Sequence, residues 1–121
     1  MGKFSFSKQE RLHGRKNIQE LFDKGSSFYL HPFKILFHNA GSESLLNQVL
    51  ISVPSKNFGR AVDRSKIKRR IREGYRLNKE MLAARKLQIA YIYIAKEILP
   101  SQIIHQKIRE SLVTLNSRNE K

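Results

Sequence analysis

The sequence predicts an α+β domain in which three helices pack on a small mixed β-sheet of three to four strands, in the order α-β-β-α-β-α. Two short stretches alternate apolar and polar residues with the period of a half-buried strand, and a third is apolar on both faces. Three other stretches repeat apolar residues at helical spacing. At 121 residues and 40% hydrophobic content, the chain suits one core rather than two.

Met1 to Arg15 mixes Phe4, Phe6 and Leu12 with basic residues and has no period, so it reads as an extended arm that becomes ordered on something else. Asn17-Ile18-Gln19-Glu20 has the form of a capping box, in which Asn17 accepts from an early backbone N–H and Glu20 reaches back. Ile18, Leu21 and Phe22 share a face and Lys24-Gly25 supplies a stop, giving a first helix of about two turns.

From Pro32 to His38, Phe33, Ile35 and Phe37 point one way and Lys34, Leu36 and His38 the other. The polar run Asn39-Ala40-Gly41-Ser42-Glu43-Ser44 turns the chain. Gln48 to Val53 forms a second strand, ended by Pro54, and the two read as antiparallel neighbours joined by a loop. Leu87 to Ala95 is apolar on both faces and therefore central, with Tyr91 and Tyr93 packing within it. After Pro100-Ser101, the spacing of Ile104, Ile108, Leu112 and Leu115 marks a closing helix. Residues 1–121 thus form one domain, with flexible ends expected at about 1–10 and 117–121.

Charge is the most informative feature. Lysine and arginine number 24 against 10 acidic residues, a net of +14. Lys56 to Lys79 holds ten of those cations and two acids, so 24 positions carry +8 of the +14. At 100° per residue, Ile67, Ile71, Gly74, Tyr75, Asn78 and Leu82 form one stripe, with Lys68, Arg69, Arg72, Arg76 and Lys79 in the adjoining sector and Lys66 and Arg70 flanking it. The segment therefore reads as an amphipathic helix beginning near Arg64, docked by its apolar stripe, with a cationic ridge facing out. A merely solvated helix balances its charges with i,i+4 acid–base pairs, whereas this one offers only Asp63 and Glu73. A polyanion that neutralises the ridge explains the imbalance, because each phosphate contact also releases counterions.

Other chemistries have little support. The chain has no cysteine, which excludes disulfides, thiolate nucleophiles and cysteine–zinc sites. His13, His31, His38 and His105 lack metal-ligand spacing and show no pattern for acid–base catalysis; His31 and His38 read as surface or edge residues. There is no apolar run long enough to span a bilayer and no signal-peptide centre in Met1 to Leu12, so a cytoplasmic location is expected and no membrane partner. The basic helix lacks the preceding helix and tight turn of a helix-turn-helix, so DNA is not the expected partner.

The run Lys56-Asn57-Phe58-Gly59-Arg60-Ala61-Val62-Asp63-Arg64-Ser65-Lys66-Ile67-Lys68-Arg69-Arg70-Ile71-Arg72-Glu73 resembles, without gaps, the signature of the bacterial ribonuclease P protein component. The matching positions are Lys56, Gly59, Ala61, Val62, Arg64, Lys68, Arg69, Arg72 and Glu73. Ser65 stands where the family has asparagine, and Lys66 where it has a second arginine. Lysine keeps the charge but not the planar fork, and serine keeps a hydroxyl but not the amide's paired donor and acceptor. Arg11-Leu12, the helix with Ile18, Leu21 and Phe22, and Gly25 are similar to the family's N-terminal pattern, extending the likeness from about residue 4 to about residue 115.

The resemblance implies a ribonucleoprotein in which the RNA subunit binds Mg²⁺ and hydrolyses precursor tRNA to leave the mature 5′ end. The protein itself would hold no metal and no catalytic residue. It implies that Lys56, Arg60, Arg64, Ser65, Lys66, Lys68, Arg69, Arg72 and Arg76 face ribonuclease P RNA, and that the basic helix makes a left-handed crossover between parallel strands. It also implies a cleft between the first helix and one sheet face for the single-stranded 5′ leader, with Ile18, Phe22, Phe33 and Leu36 near it and Lys34 as a phosphate contact. Phe22 and Phe33 equally suit a hydrophobic core. A ribosomal or RNA-assembly protein using the same basic helix is the alternative from a non-enzyme class.

Overall fold

The structure is a computed structural model, described over residues 10–12, 14–39, 47–82 and 87–118. Its elements are α1 (Arg15–Lys24), β1 (Ser26–Leu30), β2 (Phe33–Asn39), β3 (Gln48–Ser52), α2 (Ala61–Asn78), β4 (Leu87–Tyr93) and α3 (Ser101–Arg118). A 3₁₀ turn, Lys79–Met81, follows α2. The predicted class holds, and β1 is the fourth strand of the expected three to four. Ser26–Leu30 escapes a sequence reading because it is short and its first two residues are serines, yet it pairs along its length with β2.

The sheet order is β1-β2-β4-β3. The two strands expected to be antiparallel neighbours, β2 and β3, are therefore separated by β4, which pairs antiparallel with β2 and parallel with β3. Parallel pairing needs a long crossover, which α2 provides between β3 and β4. β4 is buried along nearly its whole length, as its two apolar faces predict. It ends at Tyr93 rather than Ala95, although the Ile94 N–H still donates to the Pro32 carbonyl at 2.8 Å.

The two sheet faces bury different sets. On one, Phe33, Ile35, Val49, Ile89, Tyr91 and Tyr93 pack with Ile67, Ile71 and Tyr75 of α2 and Ile104, Ile108, Leu112 and Leu115 of α3. These are the stripes predicted for the two helices. Each fully buried apolar side chain contributes about 1.5–3 kcal/mol. Helices α2 and α3 meet at Gly74, where a Cβ would lie 2.9 Å from the His105 ring and 3.0 Å from Ile108. Two buried hydroxyls are satisfied within this layer. The Ser111 Oγ donates to the Ile108 carbonyl at 2.5 Å, so the Tyr91 hydroxyl is the donor in its 2.6 Å bond to Ser111. Burial pushes the Tyr91 phenol well above its ordinary range. On the opposite, outer face, Leu36 and Ala90 pack with Leu12 and Leu21, joined by Ile18, Leu50 and Ile92.

Helix α1 begins two residues before the expected capping box. Gly14 is its N-cap at φ 93, a left-handed conformation that glycine adopts without strain, and no side chain caps the helix. Asn17 and Glu20 thus fall inside the helix, and Glu20 approaches Lys24 at 3.7 Å instead of reaching back. Gly25 does end the helix, but its φ of −73 is ordinary. Space is the reason for glycine: a Cβ would lie 2.4 Å from the Leu21 carbonyl oxygen and 3.0 Å from that of Phe37. Both are backbone atoms, so Gly25→Ala is expected to lower stability by about 1–3 kcal/mol in a urea melt.

The arm is ordered, where it is described, by the protein itself. Arg11 bridges to Val49 of β3, and the Leu12 N–H donates to the Val49 carbonyl at 2.9 Å. Beside them Glu10 makes a 2.8 Å ion pair with Lys79, with side chains only 11% and 16% exposed. The expected connector after Asn39 and most of the expected flexible ends lie outside the described residues, but α3 keeps its helix through Arg118.

Candidate nucleic-acid interface

Helix α2 starts at Ala61, three residues ahead of the expected Arg64, and Arg64 itself explains how the start is held. Phe58 is buried against Tyr93, with ring centroids 5.8 Å apart, which fixes the loop before the helix. Nη1 of Arg64 donates to the carbonyls of Phe58 at 2.8 Å and Gly59 at 3.0 Å. Arg64 therefore clamps the loop bearing Lys56 and Arg60, a positioning duty that its place in a cationic run does not reveal. Arg70, on the flank, donates to the Leu99 carbonyl at 2.7 Å and ties α2 to the approach to α3. Arg76 pairs with Glu73, Nε to Oε1 at 2.5 Å.

Most of the other predicted RNA-facing residues point to solvent. Lys56, Arg60, Ser65, Arg69 and Arg72 are exposed, and Lys66 and Lys68 are half-buried. Arg69, Arg72, Glu73 and Arg76 line a shallow groove of about 140 Å³ on the ridge. Held on a docked helix, these guanidinium groups can engage phosphate oxygens with little further ordering, and the planar fork favours bidentate contacts.

Lys34 and Leu36 of the second predicted surface lie on the outer sheet face. Strand register aligns Tyr29, Lys34, Ile92 and Ser52 in one cross-strand row and Ser27, Leu36, Ala90 and Leu50 in the next. Helix α1 closes over the second row, so Ile18 is half-buried and Leu36 only 6% exposed. Both belong to the packing under α1 and offer little contact area. Phe22 is 47% exposed, and Lys34 holds its Nζ 5.7 Å from the ring centroid of Tyr29, itself 68% exposed. Tyr29 is an exposed ring beside Lys34 that the sequence does not reveal, because its strand is hidden there too.

Phe33, expected near the cleft, lies elsewhere. It has no exposed surface and lies on the core face, edge-on to Tyr91 at 5.4 Å and Tyr93 at 6.0 Å. The alternation of β2 puts Lys34 and Leu36 on one face and Phe33 on the other, so Phe33 belongs to the core and not to the cleft.

Among the described residues no three histidine or acidic groups converge as metal ligands. His31 is exposed, and His38 stands 4.0 Å from Glu20. No helix of the described residues is long and apolar enough to cross a membrane.

Known proteins share this geometry. The family model described as ribonuclease P matches residues 6–118. The ribonuclease P protein component of Porphyromonas gingivalis is 33% identical over 120 residues, covering 93% of this chain and 87% of that protein. That of Dictyoglomus turgidum is 33% identical over 117 residues, with 95% and 92% covered. Among solved structures, the RNase P protein of Thermotoga maritima superposes with a TM-score of 0.68 at 30% identity, covering 93% of this chain and 99% of that one. A Staphylococcus aureus RNase P protein mutant, described as defective in mRNA degradation activity, gives 0.76 at 28% identity, covering 91% and 90%. With a basic helix carrying the family signature on the matching fold, the chain belongs to the ribonuclease P protein family.

Proposed function

We propose that the chain acts as the protein subunit of a cytoplasmic ribonucleoprotein that matures the 5′ end of tRNA. The exposed cations of α2 grip ribonuclease P RNA, and the outer sheet face beside α1 receives the 5′ leader of precursor tRNA. The observation that carries this reading is the ridge of Arg69 and Arg72, exposed beside Lys68 on a helix whose apolar stripe is fully docked. Such a ridge is sequence-tolerant toward RNA but strongly selective for its charge. On the outer face, the exposed rings of Phe22 and Tyr29 suit unpaired bases, and Lys34 beside Tyr29 suits the adjoining phosphate.

The protein contributes position and electrostatics. Among the acids, Glu10 and Glu73 are each paired with a cation. The Mg²⁺ that hydrolysis requires is assigned to the RNA, and the chain helps by neutralising phosphates and orienting the leader. Adding the chain to ribonuclease P RNA at low Mg²⁺ is expected to restore precursor-tRNA cleavage that the RNA alone does not sustain. A ribosomal or assembly protein with the same basic helix would leave the rate unchanged, and that result would overturn the reading.

A further inference from the structure

Among the described residues, the ridge groove lined by Arg69, Arg72, Glu73 and Arg76 sets one carboxylate among three guanidinium groups. A groove built for phosphates alone has no use for that charge, because a carboxylate repels each phosphate that its neighbours attract. Helix α2 carries two acidic residues in its 18 positions, Asp63 and Glu73. Asp63 lies in the first turn, where a negative charge complements the partial positive charge of the helix N-terminus. Glu73 lies beyond the middle of the helix, where the dipole favours no such charge.

Glu73 is held in place through one of its two oxygens. Nε of Arg76 donates to Oε1 at 2.5 Å, and Nη2 of the same arginine approaches the same oxygen. An i,i+3 pair of two partly exposed side chains adds little to stability. Neither contact engages Oε2. An ionised carboxylate offers about four acceptor positions, so Glu73 stands fixed on the wall of the groove with capacity for a further donor.

Its neighbours limit what that donor is. Arg69 and Arg72, exposed in the same groove, draw phosphate oxygens, which accept and do not donate. RNA also carries neutral donors close to its phosphates, namely the ribose 2′-hydroxyl and the exocyclic amines of its bases. A hydrogen bond from such a donor to an ionised acceptor is about twice as strong as one between neutral groups. It offsets the repulsion between Glu73 and the phosphates, whereas a polyanion without donors meets the repulsion alone.

We propose that Glu73 accepts a hydrogen bond from a neutral donor of the RNA, a ribose hydroxyl or a base amine, so that the ridge selects RNA over phosphate charge alone. This rests on the reading that the α2 ridge binds RNA. The test compares the full chain with Glu73→Ala and Glu73→Gln, and uses Arg69→Ala as the reference for the ridge. Each protein is titrated with ribonuclease P RNA over about 0.1–0.4 M salt, and with long-chain inorganic polyphosphate, which has the charge but no such donor.

Glu73→Ala is expected to weaken RNA binding about tenfold without making the salt slope shallower, and to tighten polyphosphate binding. Glu73→Gln keeps an oxygen acceptor and is expected to weaken RNA binding by only about threefold. RNA binding by Glu73→Ala that is unchanged or tighter, with Arg69→Ala lowering the slope, overturns the proposal and leaves the ridge standing. Weaker RNA binding with a slope shallower by about one unit also overturns it, because the lost contact is then a phosphate on Arg76. If Arg69→Ala leaves the slope unchanged too, the ridge reading falls with the proposal. The donor is located with ribonuclease P RNA carrying, at random single positions, a 2′-deoxy nucleotide or a base lacking its exocyclic amine. A position that interferes with binding to the unaltered chain but not to Glu73→Ala assigns a ribose in the first case and a base in the second. No such position with either analogue overturns the proposal. Should a thermal melt show Glu73→Ala to be unfolded, Glu73→Gln carries the comparison, and unchanged RNA binding there overturns it.

Discussion

Phe33→Ala is expected to remove about 3–5 kcal/mol of folding stability, a large share of the roughly 5–15 kcal/mol available to a small domain. Phe33 is fully buried at the start of β2, an inner strand of the sheet, and its ring meets both Tyr91 and Tyr93 edge-on. Truncation leaves a cavity on the core face of the sheet, under a strand that is held by β1 and β4 on its two sides and cannot collapse inward. Phe22→Ala is the counterpart. Phe22 is 47% exposed on α1, so its removal should change stability by no more than about 1 kcal/mol. Urea denaturation of the two variants separates a core phenylalanine from a surface one. Similar decreases for both would show that the two rings share one environment, contrary to the placement described above.

The second large effect is on binding. Replacing Arg69 and Arg72 together by alanine removes two exposed guanidinium groups from the ridge while leaving the docked stripe of Ile67, Ile71 and Tyr75 intact. With two phosphates no longer neutralised, binding to ribonuclease P RNA should weaken by about 2 kcal/mol near 0.15 M salt, on the order of 30-fold. Folding should be little affected, because alanine is a good helix former and neither side chain is buried. Arg70→Ala is the internal control. Its guanidinium group is bonded to the Leu99 carbonyl, so its removal should lower stability by about 1–3 kcal/mol while sparing the salt dependence of binding.

The parts of the fold that are legible in the sequence are those governed by local periodicity. The stripe of Ile67, Ile71 and Tyr75, and that of Ile104, Ile108, Leu112 and Leu115, report burial directly, because a helix returns to the same face every three to four residues. Sheet order is not local. Nothing within Gln48–Ser52 states that its partner is Gln88–Ile92, some forty residues on, in preference to the adjacent Phe33–Asn39. β1 is hidden for a related reason: Ser26 and Ser27 gain their strand geometry from the backbone of β2, not from their own preference.

The candidate site is legible in charge and less so in geometry. Alternation in β2 divides Phe33 from Lys34 and Leu36 correctly, but both faces of this sheet are covered, so the pattern does not say which face is the core. A run of cations likewise does not distinguish arginines aimed at solvent from those aimed at carbonyls. Arg64 and Arg70 bond to backbone oxygens, whereas Arg69 and Arg72, in the same run, are exposed. The place of Arg11 beside Val49 is equally hidden, because the β3 edge that receives it forms only in the folded chain.

If the α2 ridge binds RNA through its phosphates, as proposed, binding must weaken with salt in proportion to the phosphates engaged. The most direct test is the dependence of binding to ribonuclease P RNA on salt, compared between the unaltered chain and the Arg69→Ala, Arg72→Ala double variant. The log–log slope is expected to be shallower by about two units in the variant, one for each phosphate that an arginine no longer neutralises. An unchanged slope, with both proteins folded, would contradict it.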